Sequence, residues 1–205
     1  MITIIDYGLG NLSSLHNMLK KIGEDSIISY KEEDIEKADK LILPGVGAFD
    51  TGIRNLEKLN IINTLNKTVI KKKTPILCIC LGMQIITQKS EEGILNGLGW
   101  IDAQTKRFNF NNLNNKLKIP HMGWNNINII KNTKLLNYFN YDARFYFVHS
   151  YHVVCDNNKD IIATTNHGYD FTSIIKHNNI IGVQFHPEKS HKFGIQLFRN
   201  FVKFS

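Results

Sequence analysis

The sequence predicts an α/β fold: a single domain with a mostly parallel central sheet flanked by helices, and an added antiparallel part. Three observations predict it. Up to about residue 90, short apolar runs alternate with stretches of helical spacing, the pattern of buried parallel strands joined by crossover helices. Beyond that point the chain changes to short period-2 runs separated by turn residues, as antiparallel strands require. Its 205 residues, 42% hydrophobic and 21% charged, suffice for one buried core, and no linker or internal repeat divides them.

The elements follow in order. Ile2 to Ile5, Ile27 to Tyr30, Leu41 to Leu43 and Ile76 to Ile79 read as parallel strands. Leu12, Leu15, Leu19 and Ile22 recur at helical spacing, with Gly23 as the stop signal. Ile53, Leu56, Leu59 and Ile62 give a second helix that runs out near Lys71 to Lys73 and Pro75. Met83, Ile85 and Ile86 open a third after Gly82. From Trp100 to Tyr151 the pattern is short strands with one Asn-rich stretch, residues 109–116. Period-2 runs around Ile127 to Ile130 and Phe145 to Val153 suit antiparallel strands, and Asn178-Asn179 joins two apolar runs as a hairpin. A closing helix runs from Ser190 to about Phe204, with Phe193, Leu197 and Phe201 on one face.

Composition excludes several classes. Cys78, Cys80 and Cys155 are an odd count without framework spacing, so a disulfide scaffold is not expected. The opening MITIIDYG lacks the features of a signal peptide, and no run is long enough to span a membrane. A cytoplasmic setting with reduced thiols is the expectation. Cysteine and histidine spacings match no zinc signature, and His149, His152, His167, His177 and His191 read as surface or satisfied histidines. The G-x-G of Gly8 and Gly10 has Ser13 where a dinucleotide loop needs its third glycine, so no dinucleotide site is expected.

Three segments carry chemistry. In PILCICLGMQ an apolar strand ends on Cys80 and helix signals begin at Gly82, the layout of a turn that exposes a nucleophile above a sheet. A helix N-terminus there favours a thiolate and offers backbone donors to an oxyanion. On this segment alone, a small buried cysteine fits equally well. In GVQFHPEKS a strand delivers His186 and Glu188 on either side of Pro187. A cysteine nucleophile needs a base, and the base needs an orienting group, so this pair gains meaning beside Cys80. In LPGVGAF the glycines around Val46 can present backbone N–H groups, although a plain strand-to-helix turn uses the same residues.

Together these segments resemble the triad (class I) glutamine amidotransferases, whose pattern is G-x-C-x-G followed near the end by H-x-E. Within that family the chain is similar to the glutaminase subunits of imidazole glycerol phosphate synthases. DYGLGNLSS, LPGVGAF, ICLGMQ, IPHMGWN, FYFVHSY and QFHPEKS match those subunits' blocks in order over nearly the whole chain. The resemblance implies a catalytic triad of Cys80, His186 and Glu188, and an oxyanion site from Val46, Gly47 and Leu81. It implies glutamine binding by Gln84, Ser150 and Tyr151. It further implies a heterodimer with a (β/α)₈-barrel cyclase subunit, docked through Asn11, Trp124, Tyr146 and Lys189, with ammonia passed directly between subunits. The substrate would be L-glutamine, with no cofactor, metal, nucleic acid or membrane. A partner-driven flip of the oxyanion strand is expected, because Gly45 and Gly47 make it cheap. Two alternatives stay open: a paralogous copy feeding a surface-sugar amidation enzyme, and a non-catalytic relative. The second arises because the family has glycine where this chain has Cys78, which is expected to strain or shift the turn.

The net charge of +7 is unevenly placed. Residues 1–92 are balanced, 12 basic against 12 acidic, while residues 93–205 hold 13 basic against six acidic. The excess, including Arg107, Arg144, Lys189 and Lys192, forms no basic stripe interleaved with aromatics, so docking of a protein partner is expected rather than nucleic-acid binding. Stopped-flow association with the cyclase partner should therefore slow severalfold between about 0.05 and about 0.5 M salt. A salt-insensitive rate contradicts this.

Overall fold

The computed structural model describes residues 1–111, 117–139 and 142–204. Part of the Asn-rich stretch, from 112 to 116, lies outside them.

The first half builds a parallel sheet. Strand β1 (Ile2–Ile5) leads to helix α1 (Leu12–Lys21), β2 (Ser26–Ser29), a short α2 (Glu32–Glu36), β3 (Lys40–Leu43) and α3 (Phe49–Lys58). Helix α1 ends as expected: Gly23 has φ +84°, and the N–H groups of Gly23 and Glu24 bond the Lys20 and Leu19 carbonyls. The second expected helix is broken. Asn60 adopts φ +56° and closes α3 with the same pair of backbone bonds, after which a short α4 (Ile62–Leu65) and a wide turn over Asn66–Lys71 follow. The apolar spacing is continuous across Leu59 and Ile62, so periodicity could not show this break, which an asparagine in the left-handed region makes possible. The short α2 was not expected either; its three acidic first-turn residues, Glu32, Glu33 and Asp34, favour a helix N-terminus.

Strand β4 (Ile76–Ile79) ends at Cys80, and α5 (Leu81–Ile85) begins immediately. The rest of the chain adds β5 (Lys89–Ser90), β6 (Ala103–Arg107), β7 (His121–Asn126), β8 (Asn128–Ile129), β9 (Arg144–His149), β10 (Tyr151–Cys155), β11 (Ile161–His167), β12 (Tyr169–His177) and β13 (Ile180–Val183), mostly in antiparallel pairs. Helix α6 (His191–Val202) closes the chain. Among the described residues, 11 strands form one sheet, with the path β2-β1-β3-β4-β13-β12-β10-β6-β5 and β11 and β8 branching from β12. Strands β1 to β4 and β13 run parallel, and β12 pairs antiparallel with β13 across the Asn178-Asn179 turn. Strands β7 and β9 form a separate two-stranded sheet, with His121 opposite His149 and Trp124 opposite Tyr146.

Two apolar layers sandwich the large sheet, and side chains alternate between them along each strand. Leu77 and Ile79 of β4 join Leu15, Leu19, Leu197 and Phe201 on the α1 and α6 side. Ile76 and Cys78 join Leu43, Leu56 and Met83 on the α3 and α5 side. The small sheet packs on the first layer, where Phe145 stacks on Phe185 with ring centres 3.9 Å apart.

Helix α5 sits so close to β3 that a Cβ on Gly82 would lie 2.0 Å from the Leu43 carbonyl oxygen. Gly82→Ala must push backbone from backbone and should cost about 3 kcal/mol. A lowered urea midpoint with an unchanged slope would report this, and an unchanged midpoint would show that the contact can relax.

Candidate active site

The nucleophile candidate stands on a strained turn. Cys80 has φ +54° and ψ −108° at the N-cap of α5, while its N–H donates to the Val183 carbonyl of β13 at 2.8 Å. Positive φ is unfavourable for a residue bearing a Cβ, so the flanking strand and helix must enforce it. The result is a side chain lifted above the sheet beside the first-turn amides of α5. The turn survives Cys78. Cys78 points into the α3–α5 layer, whereas the reversal at Cys80 swings its sulfur to the opposite layer. Burial pushes the Cys78 thiol far up, so it offers no competing thiolate.

His186 follows β13 and is almost fully buried. Its Nδ1 lies 2.9 Å from Glu188 Oε1, and the Glu188 side chain is only 2% exposed. Its Nε2 is buried and has no hydrogen-bond partner, leaving that nitrogen available to a group in the cleft. Burial by itself pulls the imidazolium down, but the Cys80 sulfur as a thiolate and the Glu188 carboxylate outweigh it and raise His186 to about 10. The segment is anchored to the small sheet. The His186 N–H donates to the Tyr146 carbonyl, the Tyr146 N–H donates to Ser190 Oγ, and the Ser190 hydroxyl donates back to the His186 carbonyl.

A cleft of about 270 Å³ opens over these groups, lined by Val46, Gly47, Cys80, Leu81, Gln84 and His186, with Glu92, Pro120 and Val148 to Tyr151 completing it. All the residues expected in the triad except Glu188, and all those expected to form the oxyanion site or bind glutamine, thus line one cavity. Glu188 stands behind His186. The oxyanion strand is backed by Tyr7, whose hydroxyl donates to the Pro44 carbonyl at 2.5 Å; burial pushes this phenol far up and keeps it a donor. Gly47 has φ +129°.

Sequence reasoning missed three of the nearby groups. Gln184, fully buried, donates to Cys80 Sγ at 3.7 Å and accepts from Gln84 Nε2 at 3.1 Å. It lies in the GVQFHPEKS segment, but no spacing marked it. Glu92 caps α3 by accepting the Phe49 N–H at 2.9 Å and presents a carboxylate to the cleft. His149, read as ordinary, forms part of the cleft wall.

The residues expected at a partner interface lie outside the cleft. On β7 and β9, inward His121, Phe145, Phe147 and His149 alternate with outward Met122, Trp124, Arg144 and Tyr146. The Arg144 guanidinium lies 5.8 Å from the Trp124 ring, and Lys189 Nζ lies 5.7 Å from the Tyr146 ring. Met122 and Trp124 are 62% and 44% exposed, an apolar face that invites a cover. Asn11 is exposed at the start of α1, which packs against the turn over Pro187–Lys189. Among the described residues no group of three or more His, Cys, Asp or Glu could hold a metal ion, and no helix is long and apolar enough to cross a membrane.

The high His186 value gives a testable pH window. It lies above the ordinary 6.5, so the stability it contributes is full below about pH 6.5 and is lost as pH rises toward about 10. NMR titration of the imidazole should find it still charged at neutral pH, and Cys80→Ser should bring it down. An ordinary titration in the unsubstituted protein would refute the ion pair.

Comparison with known proteins agrees with this geometry. Residues 3–204 match the family model for class-I glutamine amidotransferases. The chain is 55% identical to "Imidazole glycerol phosphate synthase subunit HisH 2" of Methanococcus maripaludis over 203 residues, 99% of each chain. It is 48% identical to the protein of the same name from Pseudomonas aeruginosa, again covering 99% of each. The structure of PurLQS from Thermotoga maritima shares the fold at a TM-score of 0.73 and 16% identity, covering 98% of this chain and 97% of that one. The chain belongs to the class-I glutamine amidotransferase family.

Proposed function

We propose that this class-I glutamine amidotransferase is the glutaminase subunit of an imidazole glycerol phosphate synthase, one catalytic domain over residues 1–205 that works in the cytoplasm. The observation that carries the reading is the buried His186–Glu188 pair beside Cys80 at one cleft, within a chain aligned end to end with HisH subunits.

Cys80 Sγ attacks the carboxamide carbon of glutamine as a thiolate, its proton held by His186. The oxygen that gains charge is met by the Leu81 N–H and by the Val46–Gly47 strand. His186 Nε2–H gives its proton to the departing nitrogen, and ammonia leaves a glutamyl thioester. The neutral imidazole then takes a proton from water as its oxygen attacks the thioester carbon. The C–S bond breaks, and glutamate is released with the thiolate and imidazolium restored. Glu188 keeps the ring oriented throughout. Gln84, Ser150 and Tyr151 form the far wall that holds the substrate, and the Glu92 carboxylate complements its α-ammonium group. Ammonia in water is mostly protonated and non-nucleophilic at neutral pH, so it passes under cover to a (β/α)₈-barrel cyclase subunit. Asn11, Trp124, Tyr146 and Lys189 dock that subunit, and docking turns the oxyanion strand.

A second reading keeps the chemistry and changes the recipient to a surface-sugar amidation enzyme. It is favoured by the numeral 2 in the names of both relatives cited above, which marks each as a further copy. Complementation of a histidine auxotroph lacking the glutaminase separates the two, since failure to grow despite folded protein selects the second.

The reading itself is tested by glutamate release from glutamine in the complex with the cyclase and its nucleotide ligand. Cys80→Ala should lower the rate by on the order of 10⁴-fold or more. His186→Ala should lower it by about 10²- to 10⁴-fold. Full activity in Cys80→Ala, or none in the unsubstituted complex, sinks the reading.

A further inference from the structure

Behind the cleft wall, between the two sheets, lies a row of buried polar side chains whose hydrogen bonds can be assigned in only one sense. Its outer end is Asn125 of β7. Asn125 Nδ2 donates to the Asn166 carbonyl at 2.8 Å, and Asn125 Oδ1 accepts the Asn126 N–H at 2.8 Å. A carbonyl can only accept and an amide N–H can only donate, so the orientation of this side chain is fixed by backbone. The second Nδ2 hydrogen therefore points to His121 Nε2, 3.1 Å away, which must accept it.

The inner end is fixed as firmly. His149 Nδ1 lies 2.7 Å from the Tyr151 carbonyl, so it must carry the proton. The Nε2 of a neutral His149 then accepts, and its partner is His121 Nδ1 at 3.0 Å. Both ends give the same answer: each ring is neutral with its proton on Nδ1, and every bond runs from Asn125 toward Tyr151. A charged ring would set N–H against N–H. The surroundings agree, for burial lowers His121 to about 4 and holds His149 well below its ordinary value, with neighbouring histidines adding.

The relay ends where the cleft begins. The Tyr151 carbonyl also accepts from Gln84 Nε2 at 3.1 Å, so two donors clamp the Tyr151–His152 peptide at the start of β10. Tyr151 ends the Val148 to Tyr151 segment that lines the cavity, with Ser150 directly before it. His121 itself does not line the cleft; its effect on the wall passes through the ring of His149.

We propose that His121 is a positioning residue for glutamine binding: by donating to His149 Nε2 it holds the ring that braces the Tyr151 carbonyl, and so fixes the Ser150–Tyr151 wall of the cleft. This rests on the glutaminase reading above for its kinetic consequence, though the tautomer does not. Without His121, the Nε2 of His149 loses its donor and the ring is held only at Nδ1, so it can tilt about its bond to the Tyr151 carbonyl and shift the wall. Substrate binding should suffer more than chemistry, because the thiolate and His186 are untouched.

The experiment compares His121→Leu, which removes the donor, with His121→Asn, whose Nδ2 can stand where Nδ1 stood. In complex with the cyclase, His121→Leu should raise KM for glutamine by about tenfold or more with kcat within about threefold, and His121→Asn should recover most of the KM. ¹⁵N imidazole spectra of the unsubstituted protein should show both rings neutral with protonated Nδ1 at pH 7, and the His149 Nε2 resonance should shift, on loss of its donor, in His121→Leu only. An Nε2–H tautomer at either ring overturns the proposal even if the leucine variant does not fold. Equal KM values in the two variants overturn it as well. Absence of glutamine hydrolysis in the unsubstituted complex would count against the glutaminase reading, while the spectra still decide the relay.

Discussion

The backbone reversal at Cys80 is the constraint on which the rest of the site depends. A residue with a Cβ does not rest at φ +54° and ψ −108° unless its flanks over-determine it, and that conformation costs about 1 to 3 kcal/mol. Here the flanks are a buried parallel strand on one side and a short helix on the other. Strand β4 is locked between β3 and β13, and the Cys80 N–H is tied to Val183. Helix α5 is pinned because Gly82 lets it touch the Leu43 carbonyl. The same reversal moves Cys80 off the face of Cys78, so the thiol that replaces the family glycine lies in a different layer and meets α3 and α5 packing rather than the reacting sulfur.

The charge relations of the triad follow from this placement. His186 is buried deeply enough that desolvation alone would keep it neutral. It stays charged because an anionic sulfur and the Glu188 carboxylate stand on its two sides. The imidazolium is thus favoured by both neighbours against its own burial. The carboxylate has one further oxygen, Oε2, buried without a partner. Such a group is costly to leave alone, which makes the site a place where stability is given up for readiness.

Much of this was legible in the sequence, and the boundary is physical. Strands β1, β3 and β4 were visible because parallel strands buried on both faces are unbroken apolar runs, and α1 because its stop is a glycine. Cys80, His186 and Glu188 could be picked out by pairing a strand-to-helix cysteine with an H-P-E strand end and by the family resemblance, and the fold brings them to one place. What escaped depended on partners far apart in the chain. The break at Asn60 keeps the apolar spacing intact. Gln184 acquires its contact with Cys80 only when β13 lies beside β4, which no local pattern encodes. His149 was read only as a surface or satisfied histidine, and His121 was not singled out, because period-2 alternation in β7 and β9 gives the face but not what packs against it. His121 becomes a hydrogen-bond donor to His149 only through the antiparallel register that sets them opposite each other.

That small sheet joins recognition to chemistry. Its outer face presents Met122, Trp124, Arg144 and Tyr146, and its inner face presents the histidines behind the cleft wall. Its strand β9 also holds the His186 backbone through the Tyr146 carbonyl. A two-stranded ribbon with one face exposed is weaker than the 11-stranded sheet beneath it, so it is the part of the site that a docked partner can move at least cost. Any shift of β9 acts on His186 through one backbone bond, and on the substrate wall through His149 and Ser150. The nucleophile itself stays fixed by the large sheet. The two sheets thus hold different parts of the site: the large one fixes the turn at Cys80, and the small one braces His186 and the wall around Ser150.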